Sequence, residues 1–192
     1  MASHAVPLDR RTWLDRLLSL ATEVRAGEGL GAILLLANVF LLLGSYYLLK
    51  TVREALILSE SGAEVKSYAA AGQALLLLFV IPAYGALATK LNRKKLIAGT
   101  SIFFALNLVL FSIVGSSGVR EGVVFYLWLG IYNNFIVAQF WSFANDIYSE
   151  EQGKRLFPVI GIGSSLGAWI GAESARKLVA PIGPYKMMLV VA

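Results

Sequence analysis

Five stretches of the chain contain no Asp, Glu, Lys or Arg: residues 29–49 (21 residues), 67–89 (23), 96–119 (24), 122–145 (24) and 156–172 (17). A helix of about 20 residues crosses the roughly 30 Å hydrocarbon core of a bilayer. All five therefore read as spanning helices, the last at the short end of the range. A sixth apolar run follows Lys186 and is still apolar at Ala192. A spanning segment cannot stop inside hydrocarbon with its backbone groups unsatisfied. The expectation is an all-α integral membrane protein cut within its sixth helix, with the missing C-terminal half of the same chain as its partner.

Composition narrows the function classes. Hydrophobic residues make up 57% and charged residues 15%, against about 45–50% and about 25% in soluble domains. An ordinary soluble enzyme and a disordered chain are both excluded. The sequence has no cysteine, so it carries no disulfide, thiolate metal site or thiol chemistry. Its one histidine, His4, lies in a polar N-terminal stretch and reads as a solvated tail residue. No catalytic residue, metal ligand or cofactor is expected, and the chain does not read as an enzyme. The excess of 17 Lys+Arg over 12 Asp+Glu matters here through its distribution rather than as a nucleic-acid footprint.

Residues 1–27 form a separate segment before the membrane part, 28–192. Trp13, Leu14, Leu17, Leu18, Ala21 and Val24 recur at helical spacing, with Arg10, Arg11, Asp15, Arg16 and Glu23 between them. The segment reads as an amphipathic helix lying in the interface, or else as a cytosolic helix packed on a partner domain. Arg10, Arg11, Arg16 and Arg25 precede the first span. Lys90, Arg93, Lys94 and Lys95 lie between the second and third, and Lys154 and Arg155 between the fourth and fifth. Lys66, Arg120, Arg176, Lys177 and Lys186 are on the other side. That ten-to-five split puts the N-terminus in the cytoplasm by the positive-inside rule.

Two groups of residues are not what membrane stability alone selects. Lys50, Arg53 and Glu54 interrupt the first helix before Ala55-Leu56-Ile57-Leu58 resumes its apolar pattern. Charges in a span cost roughly 2.5–3.5 kcal/mol each at the helix centre and less near an end. Snorkelling at the interface is one explanation. The other is a site: Tyr46, Lys50 and Arg53 follow i, i+4, i+7 and share a face, and two cations beneath an aromatic ring suit an anionic, phosphorylated solute. Glu54, four residues after Lys50, is placed to pair with it in the empty state. In the fourth span, Asn134, Ala138, Trp141 and Asn145 follow i, i+4, i+7, i+11, accompanied by Asn133 and Gln139. These amides either bond neighbouring helices or line a water-filled cavity, with the Trp141 indole available to stack on a base. Gly163, Gly167 and Gly171 in the fifth span form a small-residue packing seam. No strand precedes Gly161-Ile162-Gly163, which excludes a dinucleotide loop.

The connection from Gly85 through Lys90, Asn92, Arg93, Lys94 and Lys95 resembles the loop signature between helices two and three of the major facilitator superfamily. Thr89 stands where that signature has Asp, and Asn92 where it has Gly. The resemblance implies a gating loop containing Gly85, Lys90, Arg93 and Lys94. Tyr46-Tyr47-Leu48-Leu49-Lys50-Thr51-Val52-Arg53-Glu54 looks like the first-helix motif of the ATP/ADP antiporter family, with Lys and Arg exchanged relative to the commoner order. Phe140-Trp141-Ser142-Phe143-Ala144-Asn145-Asp146 resembles that family's end of helix four. Gly153-Lys154-Arg155-Leu156-Phe157-Pro158 resembles the start of its helix five. Leu129 and its neighbours occupy the region where the family carries an acidic residue.

The resemblance implies the N-terminal six-helix half of a facilitator-like transporter in a bacterial inner membrane, among membrane lipids, exchanging ATP and ADP by alternating access. Lys50 and Arg53 would hold phosphate, with Tyr46, Glu54, Asn134, Trp141 and Asn145 completing the site. A proton-coupled facilitator for another anion or a drug, and a membrane module coupled to regulatory domains, are the alternatives.

Overall fold

The computed structural model describes residues 12–192, so His4, Arg10 and Arg11 lie outside the described residues. Its helices are α1 (Trp13–Leu18), α2 (Gly29–Glu60), α3 (Gly62–Lys90), α4 (Arg93–Ser116), α5 (Gly122–Ile147) and α6 (Glu150–Val191). Five of them, α2 to α6, are long and apolar enough to cross a membrane. Their starts follow local chemistry. The Asn92 side chain accepts from Lys94 N at 3.1 Å to open α4, and Ser149 with Gln152 forms a capping box at α6. Between α2 and α3 the chain reverses at Gly62, whose φ of 84° favours glycine.

The charges at Lys50, Arg53 and Glu54 do not break α2, which runs unbroken from Gly29 to Glu60. Likewise α6 continues past the fifth apolar run, and there Glu173 pairs along its own helix with Arg176 and Lys177. It is interrupted only at Gly183 (φ 78°, ψ 164°), between Pro181 and Pro184. The sixth apolar run is the helical segment beyond that break, and it packs Met187 and Met188 into the core.

Helices α2 and α6 run parallel and form the centre of the bundle. A methyl group at Gly167 would overlap the Phe40 carbonyl, with Phe40 Cα only 3.0 Å away, and one at Gly171 would lie 2.8 Å from Gly44 Cα. One at Gly163 would crowd Leu36 and Val39. The glycine seam is therefore a backbone-to-backbone contact. Helix α5 lies antiparallel to α2, and Phe104 and Phe111 of α4 meet Phe125 and Trp128 of α5 edge-on, while those two α5 rings stack on each other. Helix α3 is peripheral: Ala69 is its one buried residue, while Leu75, Leu78 and Phe79 are exposed. In water that surface would be costly, whereas lipid tails would solvate it.

The N-terminal segment differs from the amphipathic helix expected of it. Helix α1 stops at Leu18, and the chain turns back through Gly27. Leu18 and Val24 are buried with Ala32, Leu35, Phe140 and Leu156, while Trp13 (72%), Leu17 (54%) and Leu20 (88%) remain exposed. Asp15, which the helical pattern put among the solvated positions, is fully buried. It accepts from Gly29 N at 2.8 Å, Gly27 N at 3.2 Å and Thr12 N at 2.8 Å. Burial would raise its carboxyl, but these amide donors outweigh that and hold it below the usual carboxylate value. It thus caps α2 from a distance in sequence.

The N-terminal segment and the α3–α4 and α5–α6 connections gather at one end of the bundle, here termed the basic end. Single cysteines at Asn92 and Ser117, both exposed, report which end faces the cytoplasm. A membrane-impermeant thiol reagent on whole cells is expected to label Ser117→Cys and spare Asn92→Cys. The reverse pattern would overturn the N-terminus-inside orientation.

Candidate solute-binding site

Helix α2 carries its charges near the end opposite the basic connections. Arg53 is 9% exposed. Its Nη2 lies 2.5 Å from Glu54 Oε1, and its guanidinium sits 4.3 Å from the centre of the Tyr126 ring on α5. Its Nε has no partner. Lys50 is half-buried, with Nζ 5.0 Å from the centre of the Tyr47 ring. Tyr46 packs edge-on against Tyr47 at 5.4 Å between centroids. Glu54 does not pair with Lys50. Its second oxygen meets Lys66 of α3 at 2.5 Å instead. One carboxylate thus holds two cations from two helices, while Lys50 sits over the Tyr47 ring and forms no ion pair among the described residues.

Lys66 was the residue missed here. Helices α2 and α3 form a hairpin about Ser61-Gly62, which brings positions 54 and 66 to the same level. The glycine at the reversal was the available signal. Arg53 is the poorly hydrated member, with its side chain 11% exposed against 37% for Lys66, so removing Glu54 strands chiefly the guanidinium.

The α5 stripe is not gathered around these cations. Tyr126 is level with Arg53, and Trp141 lies 15 residues further along α5, roughly 22 Å at 1.5 Å per residue. Trp141 packs edge-on against Phe140 and Phe157 near the basic end. Asn134 folds its amide back onto Gly130 O at 2.8 Å. Asn145 and Ala138 are exposed, so those two positions of the stripe are uncovered while Trp141 between them packs on α6. Gln139, on another face, donates to Thr100 Oγ1 of α4 at 2.6 Å, the interhelical role expected of membrane amides. A cavity of 240 Å³ beside it is lined by Asn38, Ser45, Thr100, Ser101, Tyr132 and Gln139 among apolar side chains. Its lining contains no charged residue.

Of the loop residues, Arg93 alone is engaged. Its Nε lies 2.7 Å from Asp146 Oδ2, and its Nη1 donates to Ser142 Oγ at 2.7 Å, fastening the α3–α4 connection to the end of α5. Lys90 and Lys94 are exposed. Gly85 is exposed too, with open space where a side chain would project. At the same end Glu28 accepts from Arg155 at 3.1 and 3.2 Å and from Gln152 at 3.0 Å. Thr22 Oγ1 donates to Arg155 O at 2.8 Å. Burial opposes ionisation of Glu28, but these donors prevail and keep its carboxyl below the ordinary value. The N-terminal segment is thereby clasped to the first turns of α6, a contact invisible in the sequence because its partners are 127 residues apart.

Four groups are therefore distinct in space: the Lys50–Arg53–Glu54–Lys66 cluster, the uncharged polar cavity, the uncovered α5 positions, and the clasped basic end. No protein-family model, curated protein or solved structure matches the chain.

Proposed function

We propose that the protein is a facilitator-type membrane transporter for phosphorylated solutes, exchanging adenine nucleotides between the two sides of a bacterial inner membrane. The observation that carries this reading is Arg53: a buried guanidinium with an unpartnered Nε, three residues from Lys50 on a helix otherwise free of charge back to Gly29. Stability alone gives no reason to bury that group, since well-packed apolar residues serve as well or better. A phosphate supplies what both cations lack, several anionic oxygens in reach of a planar fork and a point charge.

In this reading the empty site is held by Glu54, which neutralises Arg53 and Lys66. Arriving phosphate competes with Glu54 for them, so loading the site changes the tie between α2 and α3. The basic end is cytoplasmic, and the six helices act as one half of an alternating-access transporter. The exposed positions Ala138 and Asn145 of α5, with half-buried Asn134 on the same stripe, face the cavity between halves, as expected for folds that bind substrate between repeats. Arg93 and Asp146 latch the gating loop on the cytoplasmic side.

The test is counterflow. Liposomes containing the full-length protein and loaded with ADP are expected to take up labelled ATP, and liposomes without internal nucleotide to take up little. Equal uptake with and without counter-substrate would overturn exchange. No uptake of either nucleotide would overturn the substrate class.

A further inference from the structure

The end of the bundle opposite the basic connections contains a carboxylate with nothing to neutralise it. After α4 the chain turns at Gly118 (φ 91°) and lays Glu121 inward. The residue is 4% exposed, and neither carboxylate oxygen has a hydrogen-bond partner. Glu121 occupies the cap position before α5 but makes no side-chain cap bond. That bond is made by Glu60 at the end of α2, whose Oε2 accepts from Gly122 N at 2.7 Å. Glu121 is thus left beside a second carboxylate.

Its remaining walls are Gly115 of α4 and the ring of Tyr185 beyond the Gly183 break. A methyl group at Gly115 would sit 2.6 Å from Glu121 Oε1 and 2.7 Å from Tyr185 Cδ1, so the contact is closed on that side. The titratable groups facing Glu121 are Glu60 from α2 and Tyr185 from α6, and the adjoining Gly115 and Ser112 of α4 do not ionise. Arg120, its neighbour in sequence, and Lys186, which follows Tyr185, are exposed and form no ion pair among the described residues.

We propose that Glu121 is a proton-binding site: neutral, it is packed between the ends of α2, α4 and α5 and the chain after Gly183, and loss of its proton loosens that packing. The inference stands apart from the nucleotide reading. An ionised carboxylate is acceptor-only, whereas a neutral one is also a donor, so a proton on Glu121 removes a buried charge that no cation there neutralises. Burial first, and the Glu60 charge second, push the Glu121 carboxyl up to about 7 from an ordinary 4.5.

The sign of the effect follows. The packed form holds its proton more tightly than the loosened form, so stability is fully present below the ordinary carboxylate value. It declines as pH rises through the intervening window and levels off above about 7.

The experiment is thermal melting of the full chain in detergent from about pH 5 to about pH 8. The wild type is expected to lose roughly 5 °C across that window, with Glu121→Gln level at the low-pH value. Glu60→Gln is expected to move the wild-type midpoint to higher pH values only if the idea is wrong, since removing a neighbouring negative charge must lower it. A Glu121→Gln profile that retains the wild-type slope also overturns the proposal. Packing is read separately, with Glu121 intact, from a cysteine replacing Ser112, which is 5% exposed one turn before Gly115. Its labelling rate, taken relative to Ser117→Cys to cancel thiol ionisation, is expected to rise several-fold from the low to the high end of the window. A constant ratio would show that the ends of the helices do not loosen.

Discussion

Gly167→Leu is expected to be the most damaging single substitution in the apolar helices, lowering the melting temperature in detergent by up to about 10 °C, and Gly167→Ala is expected to show much of the same loss. The added Cβ would overlap the carbonyl of Phe40 and lie 3.0 Å from its Cα. Both are backbone atoms of a helix, so no side-chain rotation relieves the clash and α6 must move off α2. Overpacking typically costs about 1–3 kcal/mol, and each kcal/mol shifts the midpoint by about 2–4 °C in a domain of this size. Gly161→Ala is the matched control on the same helix, with nothing within 4 Å of its added methyl group. It should be neutral, or slightly stabilising through helix propensity of up to about 1 kcal/mol. If Gly167→Ala and Gly161→Ala melt together, the seam is not the contact that holds α2 to α6. If Gly167→Leu keeps its stability while nucleotide affinity collapses, the glycines line the site instead.

That seam was legible because it is written locally: four-residue spacing of small residues on an apolar helix has few other uses. The spans were legible for the same reason, since freedom from charge and length are properties of a contiguous stretch. The run beginning at Gly122 begins α5 itself. What the sequence did not disclose was pairing. Glu54 had a cation four residues before it and another one residue before it, and it took Arg53 together with Lys66 from the next helix. Asp15 sat in a helical pattern and became a buried cap for Gly29. Glu121 lay beside Arg120 in a short polar connection that reads as solvated, yet its side chain turned inward without that cation. Each outcome depends on which helices become neighbours, and helical periodicity carries no information about that. The nearness in sequence of Asn134, Trp141 and Lys50 to a common motif set likewise did not bring them to one level of the bundle, because the axial rise along α5 separates them.

The phosphate site yields the other large expected effect. Arg53→Gln should weaken nucleotide binding by about 1.5–3 kcal/mol, the worth of one charge-assisted hydrogen bond, or roughly ten- to over a hundredfold in Kd. Lys50→Gln should act in the same direction, and ATP should lose more than ADP because it has more charge to neutralise. Lys177→Gln, an exposed cation paired within its own helix, is the control. Glu54 separates binding from architecture. Glu54→Gln deprives the buried Arg53 of its carboxylate, so it should destabilise the empty protein while freeing both cations, and nucleotide should then restore more stability than it adds to the wild type. Arg53→Gln leaves Glu54 with Lys66 and should show the opposite pattern, a smaller loss of stability with little rescue by nucleotide. Adenosine has no phosphate, so its binding should change little in any of the variants. Rising salt should weaken wild-type binding, though less steeply than for exposed charges. If Arg53→Gln and Lys50→Gln both bind and exchange ATP and ADP like Lys177→Gln, the two cations only anchor α2 at the membrane surface, and Glu54 with Lys66 is a structural tie between α2 and α3.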